Sequence, residues 1–256
     1  MAHWIRFISN NKVRFGQLIE DVVYEYQGSM FDGPEKTGNN FNIDEVELHT
    51  PVDPKNFLGL WNNFYSRAEK EGWTIPAEPL YFSKLASSYT ATDKPIVRPD
   101  GYAGPVYFEA ELGIVIGKTC KQITEDVADE YIFGYTCVND VTALEILQRD
   151  KSFPQWVRSK GFDSFCPFGP AIVTGVDLES LTIRAILDGE TKQEYKVSDM
   201  VFPPLRLISL LSHYMTLTPG DIIACGTASG SAAMKSGQTI EIDISGIGTL
   251  RNIMQG

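Results

Sequence analysis

The chain of 256 residues carries 22 Lys and Arg against 33 Asp and Glu, a formal net charge of −11, with 43% hydrophobic and 21% charged residues. These values lie near the globular average and exclude a disordered or fibrous chain. No cluster of basic residues offers the positive face that a nucleic acid requires, and no apolar run approaches the roughly 20 residues that cross a bilayer, so neither nucleic acid nor membrane is an expected partner.

The length suits one sizeable domain with a small appendage. Residues 1–50 read as short strands (Trp4–Ile8, Arg14–Ile19, Asp21–Tyr26), followed by a polar Gly- and Asn-containing stretch, Gly33–Asn42, that reads as a loop. Pro51-Val52-Asp53-Pro54 continues neither a central strand nor a helix and marks a boundary. The expected organisation is therefore a small β-rich N-terminal domain, 1–50, and a second domain, 51–256. A short helix is predicted over 62–72, with Asn as its start and Gly72 as its stop, and Pro76–Pro99 reads as extended or loop. Further helices are predicted at Thr124–Glu130, Thr142–Lys151 and from Pro203-Pro204 through Leu211. Strands are predicted at Ala171–Thr174, Thr182–Asp188, Asp221–Cys225 and Thr239–Ser245. Strands dominate without a regular strand–helix repeat, which points to a mainly β or α+β chain and against a doubly wound one. Met1-Ala2-His3-Trp4-Ile5-Arg6 has no basic region followed by an apolar stretch, so no signal peptide is expected. Cys120, Cys137, Cys166 and Cys225 form no C-x-x-C pair, which predicts reduced, buried thiols and a cytoplasmic location.

The segment Tyr107–Lys118 carries the most chemistry. As a strand it places Phe108, Ala110, Leu112, Ile114 and Ile116 on one apolar face and Glu109 and Glu111 on the other, roughly 7 Å apart. Two like charges on such a strand repel, and the pair is resolved either by solvent or by a divalent cation. The apolar run Tyr131–Val138 ends in Asn139-Asp140, where the Asp is either the cap of a following helix or a third carboxylate ligand. Gly113–Lys118 is not a phosphate loop: three residues separate its glycines where that motif needs four, and they are Ile-Val-Ile.

Taken in order, the runs Glu109–Lys118, Tyr131–Ala143, Arg158–Pro170, Leu217–Thr227 and Ile244–Asn252 resemble the fumarylacetoacetate hydrolase family across about four-fifths of the chain. The resemblance implies a mixed β-sandwich roll as catalytic domain, a smaller N-terminal domain and a homodimer or higher oligomer, with the homodimer the first expectation. It also implies a bound Mg²⁺, with Mn²⁺ or Ca²⁺ as alternatives, held by Glu109, Glu111 and Asp140. Lys160 matches the family lysine that faces the substrate. Gln148, Gly226 and Thr227 match substrate-contacting positions, and Lys84 a lysine near the site. Many hydrolytic members carry a His and, three residues later, a Glu on a lid helix; those places hold Arg67 and Lys70 here. Arg67 becomes a substrate contact, and Glu69 and Glu71, which flank Lys70, become the candidate proton carriers. Leu144 stands where many members have Arg, Gln148 lies one residue later than usual, and Ala228 replaces a Pro. His3, His49 and His213 are assigned no catalytic role.

The reaction implied is metal-dependent hydrolysis of a C–C bond in an acylpyruvate-like 2,4-dioxo acid through a metal-stabilised enolate. The alternative is a decarboxylase, isomerase or dehydratase acting on a 2-oxo acid at the same metal site, a reading favoured by the missing His. A non-catalytic binding protein on the same fold is the third reading.

Overall fold

Alternating side chains fold the first 42 residues into four antiparallel strands, Ala2–Ser9, Lys12–Ile19, Val22–Ser29 and Asp32–Asn42, in the computed structural model, which describes residues 1–256. The first turn is made by Asn10 and Asn11, both at positive φ (51° and 57°), the backbone that a two-residue hairpin needs to match strand twist. Gly33–Asn42 is therefore not a loop. It is the outer strand of the sheet, paired to Val22–Ser29 with two breaks of register. Its polar composition reflects exposure at an edge, where Pro34 and the positive-φ glycines Gly33 and Gly38 disturb no second neighbour.

These strands do not stand apart from the rest of the chain. Ala2–Ser9 pairs with Cys166–Thr174, and the sheet runs on through Ile132–Asn139, Ala110–Ile116, Ile222–Ala224 and Phe57–Trp61 to Leu80–Ser83. A second sheet is ordered Glu190–Lys196, Thr182–Leu187, Thr239–Ile244, Gly248–Gln255 and Pro95–Val97. Its inward residues Ile183, Ala185, Ile240, Ile242 and Ile244 share one core with Ala110, Leu112 and Ile114 of the first sheet. Two packed sheets with few helices make a mainly β, α+β sandwich roll. The four cysteines are free and buried. No helix is long and apolar enough to cross a membrane.

Several helices are shorter than their sequence patterns suggest. The one predicted over 62–72 spans Tyr65–Glu71, ended as expected by Gly72 at φ 67°. Neither Asn starts it. Asn63 is drawn away by Phe202 O and Cys225 O, to which it donates, and by Phe202 N–H, which it accepts. The helix start is satisfied instead by a distant carboxylate, Asp199, which accepts from the Ser66 N–H at 3.2 Å. Glu125–Tyr131 is a 3₁₀ helix. Of Thr142–Lys151 only Leu144–Gln148 is α-helical, because Thr142–Ala143 is held as a strand against Val106–Tyr107. The helix Pro204–Tyr214 carries its Pro in the first turn, where the missing N–H leaves no bond unmade.

Candidate active site

Strand register assembles three carboxylates. Ala110 faces Asn139 across an antiparallel ladder, so Glu109 and Asp140 come together just beyond the last paired residues. They are clasped there: Asp140 N–H donates to Glu109 O at 3.0 Å, and Glu109 N–H donates to Asn139 Oδ1 at 3.1 Å. One pleat on, Glu111 faces the same way. A carboxylate oxygen from each of Glu109, Glu111 and Asp140 lies within 4.8 Å of the others. All seven residues of Ala110–Ile116 are buried, so solvent does not relieve the repulsion.

Asp140 (1% exposed) is bracketed by two ammonium groups that are themselves buried, Lys84 (3%) and Lys160 (2%). Lys84 Nζ donates to Asp140 Oδ1 at 2.6 Å and to Phe165 O at 2.8 Å. Lys160 Nζ donates to Asp140 Oδ2, to Glu109 Oε2 at 2.6 Å and to Thr142 Oγ1 at 2.8 Å. Burial alone would raise the Asp140 pKa, but Lys160 and Lys84 outweigh it and hold the carboxyl below its ordinary value. Burial likewise opposes the charge on Lys160, and Asp140, Glu109 and Glu111 outweigh it and lift that pKa. Glu111 is different. No side-chain cation reaches it, and it takes one hydrogen bond, from Gly226 N–H at 2.8 Å. Burial, then the charges of Asp140 and Glu109, push its pKa well above the ordinary carboxylate range. A buried acid without a counter-ion, beside two others, is a donor set that suits a hard divalent cation.

Of the three carboxylates, Glu109 borders a cavity of about 740 Å³, and Glu111 and Asp140 lie buried behind its wall. Glu109, Thr142, Lys160 and Thr227 line its polar end, Arg67 and Glu71 come from the helix Tyr65–Glu71, and Leu144, Leu147 and Gln148 come from the helix Leu144–Gln148. Arg67 Nη1 lies 3.6 Å from Glu109 Oε1 and donates to Thr227 O at 3.2 Å. Arg67 and Glu71 are four residues apart and share a helix face, whereas Glu69 is turned to solvent and does not line the cavity. Of the two proton carriers expected from the sequence, Glu71 lines the cavity and Glu69 does not. Lys84 and Gly226, expected as substrate contacts, do not line the cavity. Lys84 is sealed behind Asp140, and Gly226 holds Glu111 in place through its N–H. No histidine lines the cavity.

Two site residues lie on a strand the sequence reading missed, Glu190–Lys196. Gln193 Nε2 donates to Thr227 Oγ1 at 2.9 Å and Ala228 O at 3.0 Å, and its Oε1 accepts from Ala110 N–H at 3.0 Å. Tyr195 Oη donates to Ala110 O. Together they tie the Glu109–Glu111 segment to the Gly226–Thr227 turn. The available signal was the buried Gln193/Tyr195 alternation in an otherwise charged run. Gln193→Ala leaves buried donors and acceptors unmatched and is expected to destabilise the fold by about 1–3 kcal/mol in denaturant unfolding.

The family model "Fumarylacetoacetate (FAA) hydrolase C-terminal" matches residues 52–255. The chain belongs to the fumarylacetoacetate hydrolase family. A second family model, "Rv2993c-like, N-terminal", matches residues 2–51. Oxaloacetate tautomerase YisK of Bacillus subtilis is 35% identical over 226 residues, covering 83% of this chain and 74% of that protein. The crystal structure of 5-carboxymethyl-2-hydroxymuconate delta-isomerase from Mycobacterium smegmatis matches with a TM-score of 0.91 and 33% identity over 99% of each chain. Maleylpyruvate hydrolase from Sphingobium sp. SYK-6, in complex with manganese(II) and pyruvate, matches with a TM-score of 0.80 and 25% identity over 99% of this chain and 98% of that one. Members similar to this chain thus include an isomerase, a tautomerase and a hydrolase.

Proposed function

We propose that the chain is a divalent-metal-dependent tautomerase or isomerase of a 2-oxo acid. The observation that carries the proposal is the identity of the lid: where a water-activating histidine is expected, Arg67 is engaged with Glu109 and Thr227 O, and no imidazole borders the cavity. Moving a proton between carbon and oxygen needs one acid–base group and no activated water. Glu71 is a carboxylate in the cavity free of any ion pair, and it is assigned to take the proton from the carbon beside the ketone. Lys160 keeps positive charge beside Glu109, Asp140 and Thr142, where an oxygen that gains negative charge is stabilised. Gln148 and Thr227 line the cavity and are assigned to orient the substrate's polar end. A divalent ion held by Glu109, Glu111 and Asp140, with magnesium the first choice, would supply Lewis-acid stabilisation of that oxygen. The similarity to an oxaloacetate tautomerase and a delta-isomerase supports the reading.

The second reading is C–C hydrolysis of an acylpyruvate, favoured by the similarity to maleylpyruvate hydrolase. Enol oxaloacetate and an acylpyruvate, followed by ultraviolet absorbance with Mg²⁺ and with EDTA, separate the two. The expected result is metal-dependent ketonisation with the carbon skeleton intact by NMR. Pyruvate release from the acylpyruvate without faster ketonisation establishes hydrolysis instead, and CO₂ release establishes decarboxylation. A homodimer in a reducing cytoplasm belongs to the same proposal, with size-exclusion chromatography as its check.

A further inference from the structure

Three of the chain's four tryptophans meet at the cavity just described. Trp61 ends the strand Phe57–Trp61, Trp73 follows Gly72 of the lid helix, and Trp156 opens the short helix that ends in Lys160. Ring centres are 4.8 Å apart from Trp73 to Trp61 and 6.0 Å from Trp61 to Trp156. From Trp156 to Phe82 the separation is 5.4 Å, and those two planes lie within 14° of parallel.

The row of rings is closed at both ends by a cation that reaches Glu109. Arg67 stands 5.4 Å from the Trp73 ring centre, and its Nη1 is 3.6 Å from Glu109. Lys160 Nζ stands 4.9 Å from the Phe82 ring centre and 2.6 Å from Glu109. A ligand anchored at Glu109 therefore has an aromatic wall beside it. The indoles are half-buried, so part of their surface is open to the cavity rather than spent on the core. Phe82 lies against Gly59, where any Cβ would come within 2.5 Å of the ring.

Size and electrostatics narrow what fits. A cavity near 740 Å³ falls in the range of about 300–1,000 Å³ that takes ligands far larger than a four-carbon diacid. Aromatic faces carry negative quadrupole density, which disfavours a carboxylate laid over them and favours another ring. Arg67, the cation nearest the wall's outer end, is already engaged with Glu109 and Thr227 O.

We propose that the substrate carries an aromatic ring on the side of its 2-oxo group away from the carboxylate, stacked against Trp61, Trp73 and Trp156. The identity of the ligand's other end rests on the 2-oxo acid reading above. Pyruvate and phenylpyruvate share a head group and differ by the ring, so calorimetric titration of the Mg²⁺-loaded protein with each isolates the wall's contribution. Phenylpyruvate is expected to bind at least about tenfold more tightly, equivalent to ~1.4 kcal/mol. Trp156→Ala and Trp73→Ala are each expected to reduce that ratio to below about threefold; Trp73→Ala leaves the helix of Lys160 untouched and covers the case in which Trp156→Ala misfolds. Equal affinity for the two ligands, or a ratio unchanged in the folded variants, overturns the inference, even where oxaloacetate is tautomerised. A high ratio in a protein that ketonises neither enol sustains the aromatic wall and removes the tautomerase assignment.

Discussion

Asp140→Ala is expected to lose about 3–5 kcal/mol of unfolding free energy in EDTA, the cost of removing one partner from a buried ion pair. The reason is local. Asp140 is the one carboxylate that accepts from both Lys84 and Lys160, and all three groups are buried. Without it Lys84 keeps only Phe165 O, and Lys160 keeps Glu109 and Thr142. For a chain of this size the loss corresponds to a melting temperature lower by roughly 6–20 °C. Pairing the change with Lys84→Met removes a stranded charge along with its partner and is expected to recover part of the loss. Denaturant unfolding in EDTA measures the effect apart from any bound metal. A loss under about 1 kcal/mol for the single variant would show that the two lysines are not held by this carboxylate.

Much of this centre is written locally in the sequence, and the limits of that legibility are physical. Glu109 and Glu111 are two residues apart on a strand, and Asp140 closes the next strand of the same ladder, so spacing and register bring them together. The helix Tyr65–Glu71 was half legible. Helical periodicity puts Arg67 and Glu71 on one face and Glu69 on another, yet the residue pattern alone did not say which face turns inward. Gly33–Asn42 was misread because an outer strand, paired on one side and bathed on the other, has the composition of a loop. The contacts of Gln193 and Tyr195 join positions 83 and 85 residues apart, which no local pattern reports. The aromatic row is hidden for the same reason, since Trp61, Trp73, Phe82 and Trp156 come from four separate segments.

Glu111→Gln is expected to separate stability from metal binding in a way that no change at Asp140 does. In the metal-free protein the Glu111 carboxylate is buried, repelled by Asp140 and Glu109, and ion-paired with no cation, Lys160 acting on it only from a distance. The amide has nearly the same shape, still accepts from Gly226 N–H, and removes the repelled charge. Metal-free Glu111→Gln is therefore expected to melt at or above the wild-type temperature. Addition of Mg²⁺ or Mn²⁺ reverses the order. An ion present at 100 times its dissociation constant stabilises the wild type by about 2.7 kcal/mol, or roughly 5–10 °C for a chain of this length. The variant, with one anionic ligand fewer, is expected to show little of that shift at the same metal concentration and to lose metal-dependent ketonisation in parallel. Thermal melts of both proteins with and without metal decide the matter. Equal metal-induced shifts would place the ion elsewhere, and a metal-free variant that melts well below wild type would mean that Glu111 holds the fold as well as the cation.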